Sequence, residues 1–388
     1  MRLSNLTTIS GESQIDILIE EEKIQSISPL SFPGREAGIK NSIDFGGALV
    51  FPGLINSHDH IDFNLFPPIA NRIYNNYREW GKDIHQNNRD TIDPILKIPQ
   101  QLRIEWGIYK NLLNGITTVV NHGEKINPVN NLISVFQDCY PLHSVQFEKF
   151  WEFKINKPRN HRLPFVIHLG EGTDDLSKKE IGKLIRWNIL KKEIIAVHGV
   201  AMNKNQAKHF KALVWCPVSN YFFLNATAKI DELNKNIPVI FGTDSTLTAG
   251  WNLWEHLRLA RKLKMLTDME LFESITGTAA SVWDLKHIGK IRAGQQADLV
   301  VAKTKKQLQS LDAFYDLNPE DVLLVLHRGN IRLFDDSLYR QLKESGLEPK
   351  NFSRIYLDGM CKWIQGDIIS LIQEIRKLNV DINIPISF

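Results

Sequence analysis

His58 and His60 stand two residues apart at the end of an apolar run that begins at Ala48. On a strand, successive side chains alternate faces, so both imidazoles point to one side and Asp59 to the other. Two imidazoles at a buried strand end make half of a metal site, and further donors must come from elsewhere in the chain. Pro164-Phe-Val-Ile-His168 and Ile194-Ile-Ala-Val-His198 are apolar runs ending in histidine, and Val239-Ile-Phe-Gly-Thr-Asp244 ends in aspartate. In parallel α/β folds, ligands and reacting groups collect at that C-terminal end of the strands. A single strand-end histidine is more often a hydrogen-bonded structural residue. The repetition of the pattern at four strand ends argues for one shared site.

Strands must alternate with helices to bring such ends together, and the middle of the chain reads that way. Leu102, Trp106, Tyr109, Leu112 and Leu113 fall at helical spacing, with Gly115 placed to cap the C-terminus. Ser177-Lys-Lys-Glu180 and Thr267-Asp-Met-Glu270 have the capping-box pattern that opens a helix. Outside this region the signals are those of strands. Ile15, Ile17 and Ile19 alternate with polar neighbours, and a second short run follows at Ile24 to Ile27. Ala297 to Ala302 reads as a strand, and Asp321 to Phe334 as a hairpin turning at Gly329. The tail from Arg354 to Lys377 carries an amphipathic pattern through Ile368, Ile369, Leu371, Ile372 and Ile375, suited to core packing.

The 388 residues suffice for one large domain and a smaller one, and 43% hydrophobic with 23% charged residues is ordinary for a soluble globular chain. A net charge of +3 makes no case for nucleic acid or an anionic membrane as partner. The first residues have no signal-peptide core, and no apolar run approaches spanning length. Cys139, Cys216 and Cys361 are odd in number and widely spaced, which favours neither a disulfide framework nor a cysteine zinc site. A reduced cytoplasm is the expected location.

The order His58-x-His60, His168, His198, Asp244 resembles the metal-dependent amidohydrolase superfamily. Pro52-Gly-Leu-Ile-Asn-Ser-His58, Gly115-Ile-Thr-Thr-Val119, His168-Leu-Gly-Glu171, Cys216-Pro-Val-Ser-Asn220, Gly242-Thr-Asp-Ser245 and Gly289 to Val301 narrow the likeness. Together they are similar to the branch of cytosine, guanine and S-adenosylhomocysteine deaminases and chlorohydrolases, over about Asp16 to Leu333. The resemblance implies a (β/α)8 TIM-type barrel over residues 51–286. A small composite β-sandwich would be built from residues 1–50 and 287–388, the latter including the tail. It also implies one divalent ion, Zn or Fe(II), on His58, His60, His168 and Asp244, where it would bring the pKa of a bound water toward neutrality. Glu171 would shuttle a proton from that water to a ring nitrogen. His198 would hydrogen-bond the hydroxide, and Asp244 would accept its proton as well as bind the metal. The bland alternative for Glu171 is a solvated loop acid.

The expected reaction is deamination of a nitrogen heterocycle by metal-bound hydroxide. Hydrolysis of a cyclic amide, an imidazolone or a carbon–halogen bond with the same residues is the nearest alternative, and a catalytically inactive metal-binding relative is a third. The expected partner is a small molecule; a homodimer stays open. His122, Asn220 and Trp80 are the candidates for substrate contact, His122 with an equal claim as a structural histidine and Asn220 as a hydrogen-bonding support. Lys149 and Lys154 lie where a bridging lysine of a two-metal site would fall, but in a charged segment that reads as helical or exposed. His85, His143, His161, His209, His256, His287 and His327 read as ordinary surface or helix positions.

In one respect the chain departs from the family pattern. Three β/α units between Gly123 and His168 would need ~75 residues at the usual length of such units, and 45 are present. One or two helices must be short or missing, which predicts a barrel distorted around strands 3 and 4. Conversely, the connection from Ile61 to Gln101 is long and carries Tyr74, Tyr77 and Trp80, as expected of a lid or binding loop.

Overall fold

Leu54–Asp59 is buried at all six positions and forms the first of eight short parallel strands. A run buried on both faces needs cover on both, which helices following parallel strands supply. The computed structural model describes residues 1–11, 13–29, 41–158, 163–305, 307–346 and 350–388. We number the eight strands β1 (Leu54–Asp59), β2 (Ile116–Asn121), β3 (Ser134–Phe136), β4 (Tyr140–Ser144), β5 (Phe165–Leu169), β6 (Ile194–His198), β7 (Ala212–Trp215) and β8 (Val239–Phe241). Their spatial order is their chain order, β1 to β3 in one parallel sheet and β4 to β8 in another. The Asp244 N–H, just past β8, donates to the His58 carbonyl of β1 at 3.0 Å, so last and first strands meet. This is the strand arrangement of a TIM-type α/β fold.

The sheets part between β3 and β4, and the cause is covalent. Parallel neighbours need a crossover of about a dozen residues or more, whereas only residues 137–139 join these two strands. Residues 122–133, between β2 and β3, carry no helix either, and the helix after β4, Trp151–Asn156, has six residues. The shortage counted in the sequence thus falls on these connections.

The long connection after β1 folds into α1 (Tyr77–Asn87) and α2 (Arg89–Leu96) before α3 (Gln100–Leu113) returns the chain to β2. Asn76 caps α1 through a bond from the Glu79 N–H at 3.0 Å. The helix expected at Leu102 to Leu113 is α3, with Gly115 just beyond its end. Thr267 and Glu270 form the expected reciprocal cap. At residues 177–180 the expectation fails: Asp174 is the cap, taking the Ser177 N–H at 2.9 Å, and the helix begins at Asp175. Glu180 is therefore free for another role.

Both chain ends join in one nine-stranded sheet, where Leu299–Ala302 runs antiparallel to Leu49–Pro52. Leu3, Ile17, Ile24, Val50, Leu326 and Phe334 share its core cluster. The tail differs from its reading as one amphipathic element. Phe352–Leu357 and Met360–Gln365 are a hairpin at the sheet edge, and only Ile368–Leu378 is helix. Asp358 and Gly359 turn it with φ +43° and +78°, the two left-handed residues that a two-residue hairpin loop requires. Among the described residues, no helix is long and apolar enough to cross a membrane.

Candidate active site

The C-terminal ends of β1, β5, β6 and β8 bring His58, His60, His168, His198 and Asp244 together. His60 Nε2 lies 3.2 Å from His168 Nε2, and Asp244 Oδ1 lies 3.7 Å from His58 Nε2 and 3.8 Å from His60 Nε2. Donors about 2.0–2.1 Å from a tetrahedral ion stand about 3.3 Å apart, so these separations fit one cation. The chemistry of the donors agrees. Both ring nitrogens of His58 are buried and lack a hydrogen-bond partner among the described residues, a cost that a cation would remove at one of them. His168 donates its Nδ1–H to the His143 carbonyl at 2.7 Å, which leaves the Nε2 lone pair free to ligate. Burial, then the neighbouring imidazoles, holds His58 and His168 well below the usual histidine range, in the neutral form a metal requires.

Asp244 is held as an anion. Burial alone would raise its pKa, but the histidines, the Ser219 hydroxyl and the Ser245 N–H outweigh it and the net shift is downward. Its Oδ2 accepts from Ser219 Oγ at 2.8 Å and Thr248 Oγ1 at 3.1 Å. Asp244 and His198 both have left-handed backbones, φ +58° and +70°, a conformation a non-glycine residue keeps only when its surroundings enforce it. Beneath the site, Asp59 points away from the two histidines and is fully buried, accepting from Lys110 Nζ at 3.1 Å and Asn64 and Asn111 at 2.8 Å each.

Glu171, on the loop leaving β5, is 5% exposed and places Oε1 3.2 Å from His198 Nε2. Burial first, then Asp244 and Glu180, pushes its carboxyl well above the usual range. A chain of hydrogen bonds sets the other side of His198. Trp215 Nε1–H donates to Thr227 Oγ1 at 2.8 Å, Thr227 O–H to Asn220 Oδ1 at 3.3 Å, and Asn220 Nδ2–H to His198 Nδ1 at 2.9 Å. With the Asn220 amide nitrogen toward the ring, Nδ1 of neutral His198 is the acceptor and its proton sits on Nε2, facing Glu171. Burial pushes the ring down to about 4, so it stays neutral. We expect Asn220→Ala to keep its metal but lose about 10–100-fold in kcat, as for other groups that orient a site histidine. Unchanged kcat would remove this chain from the mechanism.

Glu180 takes the role its absence from the cap allows. It is 2% exposed and its Oε1 accepts the Gly170 N–H at 2.6 Å, bracing the turn before Glu171. Burial pushes its carboxyl up to about 7 from 4.5, against that hydrogen bond. A raised carboxyl pKa favours folding only while protonated, so stability is lost as pH climbs from about 4.5 to about 7, at most about 3 kcal/mol. Glu180→Gln, neutral and still an acceptor, should melt at a higher temperature than the parent above pH 7 and match it near pH 4.5. Equal melting curves at both pH values would refute the assignment.

A cavity of about 740 Å³ opens over these groups, with α1 and the start of α2 as one wall. Trp80 lines it, its Nε1–H bonded to the Ile69 carbonyl at 2.8 Å and its ring stacked on Phe223 at 5.1 Å. His122 and Asn220, expected at the substrate, are buried and do not line the cavity. His122 packs 4.3 Å from the His168 ring, with Nε2 3.2 Å from the Leu142 carbonyl. His143 is exposed, as read from the sequence, but it lies on a strand and lines the cavity, and its carbonyl orients His168. Pro141 hid that strand, which tolerates proline as an edge of its sheet.

His327 is no surface or helix residue; it is buried in Val322–His327 with Nδ1 3.1 Å from Asp298 Oδ1. His256 is a buried helix residue, whereas His85, His209 and His287 are exposed. His161 lies outside the described residues. Lys149 and Lys154 are exposed and do not line the cavity.

Residues 152–332 of the chain match the model of the amidohydrolase family. Its deaminase relatives and structural neighbours fall in the branch its motifs resemble. The 5-methylthioadenosine/S-adenosylhomocysteine deaminase of Caldicellulosiruptor saccharolyticus is 22% identical, over 86% of this chain and 93% of that protein. The fold is shared with a zinc-bound adenosine deaminase from Xanthomonas campestris at TM-score 0.72, 15% identity, and coverage of 98% of this chain and 97% of that one. It is also shared with the zinc complex of atrazine chlorohydrolase from Arthrobacter aurescens at TM-score 0.68, 16% identity, and coverage of 97% and 99%.

Proposed function

We propose that this chain is a divalent-metal-dependent aminohydrolase that replaces the amino group of a purine-type heterocycle with oxygen and releases ammonia. The observation that carries the reading is the buried Glu171 carboxyl, 3.2 Å from the Nε2 of a neutral His198 and beside the histidine–aspartate donor group. A divalent ion, zinc or iron(II), held by His58, His60, His168 and Asp244 would act as a Lewis acid that makes water a competent nucleophile at neutral pH.

The protein's own groups account for the remaining steps. Glu171, with its raised pKa, can take a proton from the attacking water near neutral pH and deliver it to a ring nitrogen. A protonated ring nitrogen makes the adjacent amidine carbon electrophilic, and a further proton turns the amino group into ammonia. His198 orients the nucleophile through its Nε2–H, and anionic Asp244 can accept the second proton. Phe63, Trp80 and Phe147 line the cavity and suit a flat heteroaromatic ring. The adenosine-type substrate named for the Caldicellulosiruptor relative supports the choice of heterocycle.

We read the parting of the sheets as a barrel distorted between its third and fourth strands, spanning 51–286, with 1–50 and 287–388 as the composite β-sandwich and tail. We also read a single ion per chain, since neither Lys149 nor Lys154 approaches the donors. Three free cysteines suit a cytoplasmic enzyme acting on small molecules.

The test is ammonia release from a panel of aminopurines, adenosine-type nucleosides, aminopyrimidines and pterins, run beside lactams, cyclic ureas and chlorotriazines. Ammonia from an amino heterocycle is the expected result. Turnover of lactams or chlorotriazines alone would overturn deamination.

A further inference from the structure

One wall of the cavity is basic, and among the described residues only Arg89 of its basic side chains makes a structural hydrogen bond, from Nε to the His85 carbonyl at 3.1 Å. Arg78, Lys82, His85 and Arg89 all line it and are all exposed. Arg78, Lys82 and His85 share one face of α1, and Arg89 opens α2 just beyond its end. Like charges on one helix face cost an isolated helix a few tenths of a kcal/mol per pair, so the stripe is not explained by helix stability. Among the described residues, none of Arg78, Lys82 and Arg89 forms an ion pair, although Arg78 acts through space on buried Glu180. The nearby acids are engaged elsewhere. Glu79 accepts from Asn75 Nδ2 at 3.2 Å, and Asp83 from the Tyr74 hydroxyl at 2.6 Å and Asn71 at 2.8 Å. Among the described residues, the acids lining the cavity are Glu171 and Asp244, both already committed to the reaction.

We infer that the substrate carries an anionic group, a phosphate or a carboxylate, remote from the reacting carbon, and that Arg78, Lys82 and Arg89 bind it. This rests on the reading of the cavity as a deaminase site. Guanidinium groups favour such anions through paired N–H donors, and a walled cleft of one sign also speeds capture of an opposite charge. A free helix face in solvent would give no such preference.

The experiment uses the full-length, metal-replete protein with adenosine, adenosine 5′-monophosphate and adenosine 5′-carboxylate. Turnover is followed by ammonia release, and binding of each compound separately by calorimetry. The anionic compounds should be preferred at least about tenfold in kcat/KM or in affinity, with a preference that shrinks as salt screens the wall. The Arg78→Gln/Lys82→Gln/Arg89→Gln variant, altered only at exposed positions, should lose most of that ratio, with metal content measured alongside. Whichever anion shows the larger ratio identifies the group. Tighter, charge-dependent binding of the nucleotide without ammonia would uphold the anion site while the deaminase reading fails. Adenosine handled as well as its phosphate and carboxylate, in turnover and in binding, would overturn the anion site whether or not ammonia appears. A ratio unaltered in the triple variant would overturn it too.

Discussion

Glu171→Gln should lower turnover about 10²–10⁴-fold while the protein keeps its metal, the range expected when a positioned proton-transfer group is lost. The substitution preserves shape and one oxygen acceptor, so the His198 Nε2–H keeps a partner across the present 3.2 Å contact. What disappears is the ability to carry a proton. Burial, Asp244 and Glu180 raise the pKa of Glu171, and the ionised form must be present to accept a proton from water. The kcat/KM of the parent should therefore rise with pH through the Glu171 pKa and level off above it. In the Gln variant that acid limb should vanish from the residual activity. Elemental analysis with a pH–rate profile decides the matter. A variant with near-parental turnover, or one that has lost its metal, would show that Glu171 is not the proton carrier.

His58→Ala should remove the metal, and activity with it. Parental protein from metal-replete expression should hold about one divalent ion per chain, and the variant a small fraction of that. His58 is the centre of the site: it belongs to both groups of potential ligands, with His60 and His168 on one side and His198 and Asp244 on the other. Among the described residues its two ring nitrogens find no hydrogen-bond partner, and an ion would satisfy one of them. Because the ligands converge only in the folded chain, a chelator should also lower the melting temperature of the parent, and should do so far less in the variant. Metal-free parental protein would contradict the site. Two tightly held ions would contradict its single-ion form.

The donor residues were legible in the sequence because each closes an apolar run, and the alternation of a strand is local information. Four such endings and the motifs around them point to a shared site from the sequence alone. The wall from Ile61 to Gln101 and the shortage before His168 were visible as lengths, and length is also readable without a fold. The capping pattern at residues 177–180 misled because Asp174, three residues earlier, caps the helix by taking the Ser177 N–H, and a cap is decided by backbone conformation that the pattern alone does not specify. The Asp358-Gly359 turn was a readable hairpin signal, masked by the helical period that follows it.

Other assignments depended on which strand ends come together. Trp215 and Thr227 carry no motif that links them to His198; the link exists because β6 and β7 are neighbours and the helix after β7 turns Asn220 inward. Ser219 reaches Asp244 from the helix after β7 and Thr248 from the loop after β8, and His143 reaches His168 only because β4 pairs with β5. Glu180 becomes a buried acid only when its helix packs under Gly170. The ligand types were written along the chain. Their protonation states were set by burial and hydrogen-bond direction, and both of those arise between segments far apart in sequence.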